Sequence, residues 1–252
     1  MARVMLWMRV RYFQAPLLGL LTVIFWLSLS SVAFAGANSA RPSDPIVVGF
    51  VGGRVGHTNA IHSEVQLANH IEHDYPSGVQ VRVFENRRGA QAHREVLQML
   101  DANADGELSS AEKTAARIAI YGHSWGASET VTLARALGKE GIPVLLTVQV
   151  DSVAKNGEDD GLIPANVAQA INFYQSDGLL HGRPLIRAND PSRTRILGNV
   201  QFDYKTNKVD CSAYPWYARL FMKPHIEIES DPRVWSRVES LIRSKLQARA
   251  VR

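Results

Sequence analysis

The segment Gly122-His123-Ser124-Trp125-Gly126 constrains this chain more than any other. It follows an apolar, β-branched run, Arg117-Ile118-Ala119-Ile120-Tyr121, and precedes a stretch of helical periodicity from Ala127 to Leu137. A G-x-S-x-G pentapeptide between a strand and a helix forms a sharp, strained turn that lifts the serine Oγ clear of the sheet's C-terminal edge. Side chains two residues either side of the serine would strike the neighbouring strand and helix, which is why glycines flank it. The helix that follows points its first N–H groups at negative charge developing beside the serine. Ser124 is the candidate nucleophile, and the N–H of Trp125 a candidate oxyanion donor.

The rest of the chain supplies strands and helices in alternation. Ile46 to Val51 reads as a buried strand ending in Gly52-Gly53, Asn59 to Ile71 as a helix, Val79 to Phe84 as a second strand and Gln91 to Leu100 as a helix. Pro143 to Val150 is a further strand. Pro164 to Tyr174 reads as a helix with proline in its first turn, 194–202 as a strand, and Pro232 to Ala248 as a closing helix capped by Asp231. Trp235, Val238, Leu241 and Ile242 mark the buried face of that last helix. The alternation predicts a single α/β domain over 46–252, with a mostly parallel sheet flanked by helices.

The first 35 residues have a different character. Arg3, Arg9 and Arg11 precede an uncharged, apolar segment, 16–35, that ends in Ala33-Phe34-Ala35. This is the pattern of a secretory signal peptide cleaved before Gly36. An uncleaved membrane anchor is the alternative, since twenty uncharged residues suffice to span a bilayer. Residues 36–45 read as a mobile tail. Without the three arginines the formal charge falls from +4 to +1, and no basic stripe that would suit nucleic acid remains. Cys211 is the only cysteine, so no intrachain disulfide is available.

A nucleophilic serine needs a base and an acid to orient it. In the elbow architecture these follow the serine in the order acid, then histidine. His181 and His225 follow at useful distances, and His225, in a loop before the closing helix, is preferred. His181 in Leu180-His181-Gly182 reads as a turn residue, and His123 as a packing or supporting residue. Asp151, directly after the strand 143–150, is preferred as the acid, with Asp203 as the alternative. Asp177 and Asp190 read as turn or capping residues. The second oxyanion donor is expected from the loop after the first strand, Val51-Gly52-Gly53-Arg54, with Val51 and Gly52 as the named candidates.

Asp101-Ala102-Asn103-Ala104-Asp105-Gly106-Glu107-Leu108-Ser109-Ser110-Ala111-Glu112 matches the EF-hand calcium loop at each defining position. Asp101, Asn103 and Asp105 offer side-chain oxygens and Glu107 its carbonyl. Ser109 binds directly or through water, and Glu112 is spaced for bidentate closure. Gly106 provides the turn. A capping box at Ser109 and Glu112 fits the same residues. A lone site of this kind, tied to the strand that leads into the elbow, predicts a structural Ca²⁺ clip rather than a sensor.

With elbow, glycine loop, acid and late histidine in order, residues 46–249 resemble the α/β-hydrolase superfamily of serine esterases and lipases, in a compact form. They are also similar to exported bacterial hydrolase-like proteins with an EF-hand-like loop before the elbow. The resemblance implies Ser124 as nucleophile, His225 as base and Asp151 as acid. It implies an exported enzyme (secreted, periplasmic or in the cell envelope) acting on small-molecule or lipid carboxylic esters, with membrane contact only through residues 1–35 if uncleaved. The absence of disulfides departs from secreted cutinase-like enzymes. Tyr214-Pro215-Trp216-Tyr217, in the irregular stretch 176–222, reads either as a substrate-facing cap or as ordinary aromatic packing. The alternative is a calcium-dependent binding or scaffold protein on the same fold without turnover.

Overall fold

The computed structural model describes residues 44–247. The signal peptide expected over 1–35, most of the tail expected over 36–45 and the last residues of the chain lie outside them. No helix among the described residues is long and apolar enough to cross a membrane.

The Ile-Val-Val-Gly-Phe-Val run forms β1 (Ile46–Val51), buried along its whole length. It pairs in parallel with β2 (Gln80–Glu85) on one side and β3 (Ile118–His123) on the other. The sheet continues through β4 (Val144–Val150), β6 (Val167–Gln175) and β8 (Arg195–Phe202), every pairing parallel. The strand order is β2-β1-β3-β4-β6-β8. Two short strands, β5 (Leu162–Ile163) and β7 (Arg187–Ala188), pair separately.

Parallel strands require crossovers, and the connecting helices cover both faces. Alternate residues of β1 divide between two cores. Ile46, Val48 and Phe50 pack with α2 (Gly89–Leu100) and α4 (Trp125–Lys139) through Ala92, Val96, Val131 and Leu137. Val47 faces α1 (Ser63–Asp74) and α7 (Pro232–Gln247), where Leu67, Ile71, Trp235 and Val238 close the second core. The remaining helices are short: α3 (Ser110–Ala115), α5 (Trp216–Phe221) and α6 (Lys223–Glu229).

Three expectations need correction. The segment 164–174 is not a helix: Val167–Gln175 is strand β6, between β4 and β8. Pro164 lies between β5 and β6, and the β-branched and aromatic residues Ile171, Phe173 and Tyr174 suit a sheet interior better than a helix. The helix expected at 59–71 begins at Ser63, after turns over 59–62. His225 lies within α6 rather than in a loop, with Pro224 in the helix's first turn. The closing helix is where expected, and Asp231 Oδ1 accepts the Arg233 N–H at 2.9 Å, as a capping residue does.

Backbone crowding at the elbow explains its glycines. A Cβ on Gly126 would lie 2.2 Å from the Phe50 carbonyl oxygen, and one on Gly122 would lie 2.6 Å from the Gly126 backbone. The contact is backbone against backbone, so no rotamer change relieves it. Gly126→Ala is expected to destabilise the domain by about 2–4 kcal/mol, the range for overpacking aggravated by backbone strain. Urea denaturation of the variant beside wild type measures this, and an unchanged midpoint would contradict the packing described.

Candidate active site

The strand order reverses between β1 and β3, so the loops leaving these two strands part and open a crevice at the sheet's C-terminal edge. Gly52 and Gly53 follow β1 and Ser124 follows β3. A cavity of about 630 Å³ opens there. Its polar lining includes Ser124, His123, His62, His225 and Glu229, and its apolar lining includes Ile61, Trp125, Val153, Tyr214, Tyr217 and Met222.

Ser124 has φ 56° and ψ −125°, left-handed backbone for a residue with a Cβ. Its own N–H donates to Val150 O at 3.0 Å, which ties the elbow to the end of β4. The Trp125 N–H opens α4 and has no hydrogen-bond partner among the described residues.

One residue beyond β4, Asp151 is fully buried and also has positive φ, 45°. Its Oδ2 lies 2.6 Å from His225 Nδ1. The carboxylate also accepts from Gln175 Nε2 at 2.7 Å, Gly182 N at 2.8 Å and Gln175 N at 3.2 Å. Burial works to raise this carboxyl, but the bonds to His225 and Gln175 outweigh it and hold the group below the usual carboxylate range. An ionised Asp151 fixes the proton of His225 on Nδ1 and leaves Nε2 as the basic nitrogen. The Ser124 hydroxyl is not hydrogen-bonded to His225 here, and bonds of this kind often tighten only around a substrate.

The alternatives weighed for these positions lie elsewhere. Asp203 sits in an exposed turn, where it accepts from Lys205 N and Thr206 Oγ1. His181 is exposed and its Nδ1 approaches only the Gly182 carbonyl. Asp190 forms a turn with Ser192, and Asp177 accepts the Tyr204 N–H. The structure does not bring Val51 or Gly52 into position as oxyanion donors. Val51 is buried as the last residue of β1, and the Gly52 N–H donates to Glu64 Oε1 at 3.2 Å. Gly53, one residue further on, lines the cavity with φ 54°, and its N–H has no partner among the described residues. Glycine is the residue that tolerates that conformation without strain. Sequence inspection could locate the glycine pair but not decide which member's N–H is taken up by Glu64.

His123 does more than pack. Its ring lies against that of His225, with centroids 4.4 Å apart, and its Nε2 lies 3.2 Å from the His225 carbonyl. Burial pushes it down to about 4, so it is neutral near pH 7. Behind it lie Glu229, His62 and Glu64, all buried. His62 Nδ1 is 2.5 Å from Glu229 Oε1. Burial and the adjacent Glu229 carboxylate raise Glu64, whereas His123 and His62 outweigh burial at Glu229 and draw it down. No motif links these residues, which are scattered over more than 160 positions, and sequence inspection missed them.

In the loop 101–112, Asp101 accepts the N–H groups of Asp105 and Gly106, Asn103 that of Asp105, and Asp105 that of Glu107. Ser109 and Glu112 form a reciprocal capping box at the start of α3. Glu112 Oε1 also reaches back to Ala102 N, at 3.0 Å. Gly106 has φ 84°, the turn the loop requires. The donors are hard oxygens of the kind Ca²⁺ takes. The three carboxylates do not converge mutually within 4.8 Å: among the described residues only His62, Glu64 and Glu229 do so.

No family model matches this chain, and no curated protein matches it either. Among solved structures it is similar to a YdeN-like hydrolase from Pectobacterium atrosepticum (15% identity, 81% of this chain and 94% of the other, TM-score 0.39). It is similar also to human thioesterase 2 (10%, 83% and 99%, TM-score 0.42) and to a cutinase-like protein from Cryptococcus (13%, 82% and 97%, TM-score 0.42). Likeness at this level leaves the chemistry to be read from the site itself.

The lowered Asp151 has a consequence for stability. A carboxyl held below its unfolded value stabilises the fold above that unfolded value, and the contribution disappears as pH falls through the folded one. The stability advantage of wild type over Asp151→Asn is therefore expected to be full above about pH 4 and to shrink below it. Denaturation of both proteins across pH 2–7 measures this, and a pH-independent difference would contradict the ionised carboxylate.

Proposed function

We propose that this protein is an exported serine hydrolase acting on carboxylic esters with an apolar acyl part, and that it carries a structural calcium site. The observation that carries the reading is the buried Asp151–His225 contact in the cavity that also presents Ser124 from a strained strand-to-helix turn. Positive φ at Ser124 costs on the order of 1–3 kcal/mol, and strain of this kind clusters where function requires it.

In this reading Ser124 Oγ attacks the ester carbonyl and its proton passes to His225 Nε2. The imidazolium is stabilised through Nδ1 by Asp151. The tetrahedral oxyanion takes hydrogen bonds from the N–H groups of Trp125 and Gly53, with the α4 dipole adding to the field. Collapse breaks the bond to the alcohol, which leaves with the proton from His225. Water, deprotonated by the same nitrogen, then attacks the acyl-enzyme and releases the acid and free Ser124. Ile61, Val153, Tyr214, Tyr217 and Met222 give the acyl part an apolar wall. Tyr214, Pro215 and Tyr217 line this cavity, whereas Trp216 is exposed away from it. The segment 1–35 would direct export.

A fluorophosphonate probe is expected to label wild type and not Ser124→Ala. With a short-chain nitrophenyl ester, Asp151→Asn is expected to lower kcat by roughly 10³–10⁴, as loss of the orienting acid does in such triads. Labelling that persists in Ser124→Ala would overturn the assignment.

Calcium binding would have Asp101, Asn103, Asp105, the Glu107 carbonyl, Ser109 and Glu112 exchange their loop hydrogen bonds for the ion. At a Ca²⁺ concentration tenfold to a hundredfold above Kd the domain gains about 1.4–2.7 kcal/mol. Millimolar Ca²⁺ is thus expected to raise Tm by several degrees in wild type and not in the Asp101→Ala/Asp105→Ala double variant. Equal melting of the two proteins with and without Ca²⁺ would remove the clip from the account.

A further inference from the structure

Beside the triad lies a second cluster that the hydrolase chemistry does not use. His62 precedes α1, Glu64 sits in its first turn, His123 ends β3 and Glu229 lies in the last turn of α6. They are 7%, 0%, 2% and 4% exposed. One ligand atom from each of His62, Glu64 and Glu229 lies within 4.8 Å of the other two. His123 Nδ1 is 3.4 Å from Glu229 Oε2.

Buried polar atoms are nearly always hydrogen-bonded, and here two in one cluster are not. Among the described residues Glu64 Oε2 and His123 Nδ1 have no hydrogen-bond partner. The nearby Tyr214 hydroxyl also lacks one, and the His62 ring meets the Tyr214 ring edge-on at 5.6 Å. Two carboxylates share this space with two imidazoles, and among the described residues neither carboxylate forms an ion pair with a lysine or arginine. A dication would neutralise both carboxylates and give each unpartnered ligand atom a bond.

We propose that His62, Glu64, Glu229 and His123 form a binding site for a divalent transition-metal ion, Zn²⁺ foremost. Two imidazoles and two carboxylates make a mixed N/O donor set of the kind that favours Zn²⁺ over Ca²⁺ or Mg²⁺, which prefer oxygen alone. Two ligands on a tetrahedral Zn²⁺ stand about 3.3 Å apart, given Zn–N and Zn–O distances near 2 Å. The ion therefore replaces the 2.5 Å His62–Glu229 hydrogen bond rather than adding to it. Glu64 can bind through Oε2 while Oε1 keeps the Gly52 N–H. The metal would join three elements at one point: the glycine loop through Glu64, the elbow through His123, and the helix carrying His225 through Glu229.

The site does not depend on Ser124 being a working nucleophile. The test uses the purified full chain without a polyhistidine tag, loaded with Zn²⁺, passed over a weak chelating resin and measured by inductively coupled plasma mass spectrometry. About one Zn²⁺ per chain is expected in wild type, in Ser124→Ala and in the Asp101→Ala/Asp105→Ala loop variant. Glu64→Gln and Glu229→Gln are expected to retain less than about a tenth of that while keeping wild-type circular dichroism. Co²⁺ loading gives a second readout: wild type should show the intense visible ligand-field absorption of a four-coordinate ion, and Glu64→Gln should not. Failure of wild type to retain metal would overturn the proposal, and the two glutamates would then share a proton. Equal retention in both Gln variants would overturn it as well, placing the ion on exposed histidines such as His57, His70 and His73.

Discussion

The contact between Asp151 and His225 is the interaction on which the rest of this structure depends. A carboxylate buried at the end of a central strand is costly unless its lone pairs are filled. Here they are filled from three directions: β6 contributes Gln175, the loop beyond it contributes Gly182, and α6 contributes His225. One charge thus gathers the C-terminal edge of the sheet and sets His225 beside the elbow. Gly182 is needed for this, because a Cβ there would lie 2.3 Å from the Asp151 carbonyl carbon.

His123 couples that arrangement to the second buried cluster. Its ring lies tilted against that of His225, and its Nδ1 faces Glu229. Glu229 and His225 lie four residues apart, one turn of α6, so one short helix carries a residue of each cluster. Glu64 holds the Gly52 N–H, while the N–H of Gly53, which also lines the cavity, has no partner among the described residues. Ser124, His225 and the Gly52-Gly53 loop are each backed by a titratable residue withdrawn from water: His123, Asp151 and Glu64.

Much of this was legible in the sequence because it is local. The elbow declares itself through five residues between a β-branched run and a helical one, and Asp151 through its place at the end of an apolar strand. The compact α/β architecture followed from alternation. The failures are non-local. Val167–Gln175 carries alanine, asparagine and glutamine at positions a sheet buries or half-buries, and its neighbour Pro164 mimics a helix start. Only pairing with β4 and β8 decides the matter, and pairing is not local. The cluster of His62, Glu64, His123 and Glu229 was illegible for the same reason: nothing but the fold brings residues from three separate elements together. Of the glycine pair, the sequence held both members but not the bond to Glu64 that tells them apart.

The central claim is that Ser124, His225 and Asp151 act as one machine, with Trp125 and Gly53 facing the charge. A crystal structure of the protein inactivated by a phosphonate ester tests it most directly. The account predicts phosphorus bonded to Ser124 Oγ, a phosphoryl oxygen about 2.7–3.1 Å from the N–H groups of Trp125 and Gly53, and the Asp151–His225 bond intact. An adduct on another residue, or a phosphoryl oxygen turned away from both N–H groups, would contradict it.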